Sequence, residues 1–174
     1  MIDHFRSEFA RYRTIGEKAL SQLPDVALNK VPVTDGNSAA MLVRHISGNL
    51  ASRFTDFLTT DGEKPWRNRE GEFEERAYTR EEVDRMWGDG FGVLESTLEG
   101  LSDSDLNVAV RIRGQEWTVH AALARSLAHL SYHIGQLVLL ARLDAGTGWD
   151  WITIPKNASD AYNQRPDLDR GFSS

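Results

Sequence analysis

The sequence predicts an all-α protein, a four-helix bundle with a long crossover between helices 2 and 3 and a short extended arm before helix 4. Two observations carry the fold class. Four segments repeat apolar residues at helical spacing, and one connection, residues 59–78, is too long for a plain structureless loop in a compact domain. The chain itself has 174 residues, 40% hydrophobic and 26% charged, the size and composition of one ordinary domain. A chain of this length buries roughly 70% of the surface its unfolded form exposes, so it needs no disulfide or structural metal to fold. A single domain over residues 1–174 is expected, with its core at about 5–145. A tail from about 149 to 174 turns polar after Ile154 and is expected to fray at its end.

The first helix sets Phe5, Phe9, Tyr12, Ala19 and Leu23 near one face and stops at Pro24, which cannot continue a helix interior. The second, with Asn37 or Ser38 as N-cap, carries Leu42, Ile46, Leu50, Phe54 and Phe57 and runs to about Leu58. The third opens on the capping box Thr79-Arg80-Glu81-Glu82 and continues through Val83, Trp87, Phe91, Leu94 and Leu98, although Gly88, Gly90 and Gly92 work against it. Leu106, Val108, Val110 and Ile112 then alternate before Gly114, the pattern of the extended arm. The fourth segment, Thr118 to about Leu143, repeats Leu123, Leu127, Leu130, Ile134, Leu137 and Ala141 and gives the strongest helix pattern of the chain. In the crossover, Trp66 and Phe73 are expected to pack.

A net charge of −6 and a sequence pI near 5.4 argue against a nucleic-acid or anionic-membrane partner. No apolar run approaches the roughly 20 residues of a membrane span, and no basic-then-apolar leader opens the chain, so a cytoplasmic protein is expected. With no cysteine, thiolate zinc sites, iron-sulfur clusters and a cysteine nucleophile are excluded, and a metal would have to use histidine and carboxylate.

Three of the five histidines are placed to meet. His129 and His133 lie one turn apart on one face of the fourth helix, each one residue back from the Leu130 and Ile134 stripe, where two imidazoles can reach one ion. On the second helix His45 flanks Ile46 in the same way, followed by Asn49, Ser52 and Asp56. If the two stripes face each other, three neutral nitrogens converge; the alternative is three core histidines satisfied by hydrogen bonds. His129-Leu130-Ser131-Tyr132-His133 lacks the glutamate of the zinc proteases. His4 and His120 need only a surface explanation.

Asn37-Ser38 leading into Val43-Arg44-His45-Ile46-Ser47-Gly48-Asn49-Leu50, then Thr60-Asp61-Gly62-Glu63-Lys64-Pro65-Trp66-Arg67-Asn68-Arg69, and later His129 through Val138, resemble the DUF1572 branch of the DinB-like superfamily. The resemblance spans about Phe5 to Leu143. It implies a four-helix bundle of up-down-down-up course with a metal held by one histidine of the second helix and two of the last. Carried over, these ligands fall on His45, His129 and His133, the residues the stripes select.

Three imidazoles leave at least one coordination position for water or substrate, the pattern of a catalytic metal site. Neutral imidazole suits zinc or nickel best, with manganese or iron as alternatives. Better-known DinB-like relatives are thiol-dependent transferases and isomerases, so the resemblance implies activation of a small thiol, which must be external because the chain has no cysteine. The alternatives are a hydrolase using metal-bound water and a non-catalytic metal-binding stress-response protein. A hydrolase needs a base near its water, and Asp56 lies three turns, roughly 16 Å, beyond His45. Asn49 and Gln136 are expected to orient the imidazoles or substrate. Trp66, Arg67 and Arg69 form either a lid that clamps an acidic substrate or an ordinary solvated charged loop. The resemblance and an aromatic content of five Trp, four Tyr and seven Phe lead to the expectation of a homodimer.

Overall fold

The computed structural model describes residues 1–164; the chain end at 165–174, where fraying is expected, lies outside the described residues. Helix α1 spans Ile2–Ser21 and buries Phe5, Phe9, Ala19 and Leu20. It closes just before Pro24, as the proline requires. Helix α2, Ala39–Phe54, starts on Ser38, whose hydroxyl accepts the Met41 N–H at 3.2 Å and satisfies one donor that the first turn leaves open.

Helix α2 ends four residues earlier than expected. Thr55 leaves the helix with ψ 125°, and Asp56 takes a left-handed φ of 49°, which a continuing helix cannot hold. Phe57 still reaches the core by folding back onto Phe54, ring centroids 5.2 Å apart. Its helical spacing therefore reported burial but not helix.

Helix α3, Arg80–Gly100, begins on the expected capping box: Thr79 accepts the Glu82 N–H at 3.2 Å and Glu82 accepts the Thr79 N–H at 3.0 Å. Gly90 weakens the helix by propensity, and close packing is what its bare Cα makes possible. A Cβ there would lie 2.7 Å from the Cα of Ser47, so its absence brings the α3 backbone directly onto α2. The Ser47 hydroxyl donates to the Met86 carbonyl across the same contact.

The extended arm is half of a hairpin. Strand β1, Ala109–Ile112, pairs antiparallel with β2, Gln115–Thr118, Ile112 opposite Gln115. The two loop residues, Arg113 and Gly114, have φ of 53° and 72°, the double left-handed turn whose twist matches a hairpin. The second strand escapes a periodicity reading because its residues are almost all exposed. Helix α4, Val119–Ala145, is capped by Thr118, which accepts the Ala121 N–H at 3.1 Å. A short helix α5, Ser159–Asn163, lies in the tail.

The described residues are therefore mainly helical, with four substantial helices and one small two-stranded sheet. Helix α2 packs mostly on α3, α1 packs on α4, and α2 also meets α4. Phe9, Phe54, Phe91, Leu130 and Ile134 fill the core between them. No helix of the described residues is long and apolar enough to cross a membrane.

The crossover packs by polar anchors. The Asp61 carboxylate accepts three backbone N–H groups, from Glu63 at 2.7 Å, Arg113 at 2.8 Å and Gly114 at 2.7 Å, which ties the crossover to the hairpin turn. Ser52 of α2 donates to the Gly62 carbonyl at 2.7 Å from the other side. Trp66, expected to pack, is 58% exposed; Phe73 is half-buried with its ring on His45, centroids 4.7 Å apart.

Candidate metal centre

Where α2 meets α4, the two stripes face each other. His45 Nε2 lies 3.2 Å from His129 Nε2, and His133 Nε2 lies 3.2 Å from the same atom. One nitrogen from each ring falls within 4.8 Å of the others, a group that could hold a metal ion. His45 and His133 are buried and His129 half-buried.

The outer nitrogens explain how the rings are aimed. His45 Nδ1 donates to Glu72 at 2.8 Å, and His133 Nδ1 donates to the Gln136 side-chain oxygen at 3.0 Å. Each acceptor requires a proton on Nδ1, so as neutral imidazoles, the ligating form, both rings present an Nε2 lone pair to the centre. His129 Nε2 can bring at most one proton, and one proton cannot serve both contacts. At least one of the 3.2 Å pairs then sets lone pair against lone pair, which a shared cation relieves. Four-coordinate zinc with bonds of about 2.0–2.1 Å separates its nitrogens by about 3.3 Å, so the spacing suits such an ion.

The electrostatics disfavour the charged forms of His129 and His133. Burial pulls His129 down to about 3, reinforced by His133, His45, Arg67 and Arg53. Burial also lowers His133, outweighing the opposing hydrogen bond with Gln136. Neutral imidazole is the ligating form.

Glu72 is the residue that sequence reasoning missed. Its carboxylate is buried and accepts from His45 and, at 2.7 and 2.8 Å, from Arg67 Nε and Nη2. Burial would raise its pKa, but the hydrogen bonds from His45 and Arg67 prevail and hold it ionised, below the usual glutamate value. It stands on the Nδ1 side of His45, behind the ring, and fixes that ring's orientation. Nothing in spacing reveals a partner 27 residues away across a crossover. Gly48, one turn after His45, leaves the room: a Cβ there would sit 2.3 Å from Glu72 Oε1. Asp56, the carboxylate weighed from sequence, is exposed beyond the end of α2.

Beside the histidines opens a cleft of about 480 Å³, lined by His45, His129, Asn49 and Tyr132 among others. The expected orienting residues divide, with Gln136 holding His133 and Asn49 lining the cleft. Of the expected clamp, Arg67 and Arg69 line the cleft but Trp66 is not among its lining residues. Arg67 is committed to Glu72; Arg69 pairs with Glu70 at 3.2 Å and lies over the Phe73 ring. Arg53, Arg113 and Arg125, which the sequence did not single out, line the cleft too.

A family model described as "Protein of unknown function (DUF1572)" matches residues 1–158. No curated protein and no solved structure matches the chain.

Proposed function

The chain belongs to the DUF1572 family, and from that premise we propose that it is a DinB-like metal-dependent enzyme of the cytoplasm, its bundle running up-down-down-up, that activates a small external thiol. His45, His129 and His133 hold one divalent ion, zinc or nickel before manganese or iron. The observation that carries the reading is the pair of 3.2 Å contacts that His129 Nε2 makes with the Nε2 atoms of His45 and His133, two rings whose outer nitrogens face hydrogen-bond acceptors. A divalent ion there supplies Lewis acidity, which lowers the pKa of a bound thiol or water.

The protein's own groups supply aim and environment. Glu72, itself held by Arg67, keeps the His45 ring turned inward, and Gln136 does the same for His133. Asn49 and Tyr132 in the cleft orient the substrate. Thiol activation is preferred to hydrolysis because the carboxylate at the site, Glu72, faces the far side of His45 and is spent on two partners, so it cannot take a proton from the open side.

The reading is tested by elemental analysis of untagged protein and of His129→Ala, followed by assays with a panel of low-molecular-weight thiols and a chromogenic electrophile. Stoichiometric metal that is lost in the variant, and metal-dependent thiol consumption, are expected. Metal-free wild-type protein would overturn the proposal, and metal-dependent cleavage of activated esters or amides without thiol would transfer it to hydrolysis. Silence in both assays with metal bound would make the protein a non-catalytic metal binder.

We further propose a homodimer that covers the outer face of α4, where Leu139 and Leu143 are exposed. Sedimentation should give a dimer at micromolar concentration; monomer alone refutes it.

A further inference from the structure

A chain of net charge −6 lines one cleft with five arginines, at 53, 67, 69, 113 and 125, and with no carboxylate among the described residues. Three of these have acidic partners: Arg67 the buried Glu72, Arg69 Glu70, and Arg113 Glu63 at 2.8 Å. The other two do not. Arg125 is exposed, its guanidinium stacked on Trp117 at 5.3 Å, and it pairs with no carboxylate among the described residues. Arg53 is only 7% exposed, and its Nη1 is buried without any hydrogen-bond partner.

An unpartnered guanidinium at that depth is costly to keep, because burying a charge requires a counter-charge and filled donors. Burial pulls the Arg53 pKa below its usual value; Glu63 opposes, and Arg67, Arg113 and Arg125 push in the same direction as burial. The cleft thus holds positive charge that the protein itself does not neutralise. Guanidinium groups match carboxylate and phosphate oxygens geometrically as well as electrically.

We propose that this cleft is an anion subsite in which Arg53 and Arg125 receive a carboxylate or phosphate group of the small-molecule substrate, placing its reacting part against His45 and His129. The subsite deepens the metal-enzyme reading above and rests on it for the second half of that statement. It also moves the clamp from the crossover arginines, Arg67 and Arg69, to α2 and α4. Arg67 becomes a positioning residue acting through Glu72.

The test is calorimetric titration of the full chain, in chloride buffer, with succinate, with inorganic phosphate and with uncharged succinamide. Wild type, Arg53→Met, Arg125→Ala and His129→Ala are compared, with metal content measured in each. Saturable binding of succinate or phosphate but not succinamide is expected, and the tighter of the two anions identifies the chemical class. Each arginine variant should weaken it by about tenfold to a hundredfold, the loss of a charge-assisted contact, with metal content unchanged. His129→Ala should lose metal and keep the anion. Arg53→Met removes an unpartnered buried charge and should melt no lower than wild type; were it to misfold, the exposed Arg125→Ala carries the test alone. Equal binding by succinamide, unchanged affinity in both arginine variants, or loss of anion binding only in His129→Ala would each overturn the proposal, the last because the anion would then sit on the metal. Metal-free wild type with arginine-dependent anion binding would sink the metal reading and leave the subsite standing.

Discussion

Replacing Glu72 separates two jobs that one carboxylate performs. It accepts three hydrogen bonds, from His45 at 2.8 Å and from Arg67 at 2.7 and 2.8 Å, and both its own side chain and that of Arg67 are nearly inaccessible, at 6% and 3%. In Glu72→Ala the Arg67 guanidinium stays buried without its counter-charge, a loss of about 3–5 kcal/mol for breaking one half of a buried pair. In Arg67→Met/Glu72→Leu both charges go, and stability should return to within about 1–2 kcal/mol of wild type, since well-packed apolar residues replace buried ion pairs at little cost. Neither variant leaves an acceptor behind His45. Metal affinity should therefore fall about 10–100-fold in both, the usual effect of removing a group that orients a ligand. Urea unfolding of chelator-treated protein reads the first quantity, and competition with a chromogenic chelator reads the second. A double variant that regains stability and also binds metal like wild type would refute the orienting role.

Further expectations follow from neighbouring groups. Gly48→Ala puts a Cβ 2.3 Å from Glu72 Oε1; it should weaken metal binding about tenfold while alanine's helix preference, about 1 kcal/mol, holds stability near wild type, and unchanged affinity in the same chelator competition would refute it. In metal-free protein the folded-state pKa of His129, about 3, lies below its ordinary 6.5. Protons thus bind the unfolded chain first, and stability present above pH 6.5 is lost as pH falls toward 3, at up to about 1.4 kcal/mol per pH unit from this group. His133 adds in the same direction, and Glu72 contributes stability above its ordinary 4.5 that is lost as pH falls through its lower folded value. Urea midpoints that stay flat across that interval would contradict the buried, neutral cluster. Asp61→Ala removes the acceptor of three backbone N–H groups at the crossover and hairpin turn; a loss of about 1–2 kcal/mol is expected in thermal unfolding, and an unchanged midpoint would show that the turn holds without it.

Much of this protein is local and therefore legible in one dimension. Helix starts at Ser38, Thr79 and Thr118 depend on a side chain bonding an N–H two or three residues on, and the apolar stripes depend on a period of 3.6, so both are written in neighbouring residues. The three histidines were legible for the same reason: each flanks an apolar stripe, and stripes must face one another in a bundle. What required the tertiary structure is whatever depends on charges meeting across long sequence separations. Glu72 was one charge among several in the crossover and Arg67 a candidate clamp for substrate until the crossover folded them together behind His45. The exposed strand β2 carried no apolar alternation to announce it, and the end of α2 is set by a left-handed backbone at Asp56 that helical spacing ran straight through. The basic cleft is the clearest case, because Arg53 on α2, Arg113 in the hairpin turn and Arg125 on α4 sit in an acidic chain and become one field only when three elements close around the same space. Hydrophobic periodicity fixes which face of an element is buried, and a charge is given its partner, or left without one, only by the packing of those faces against each other.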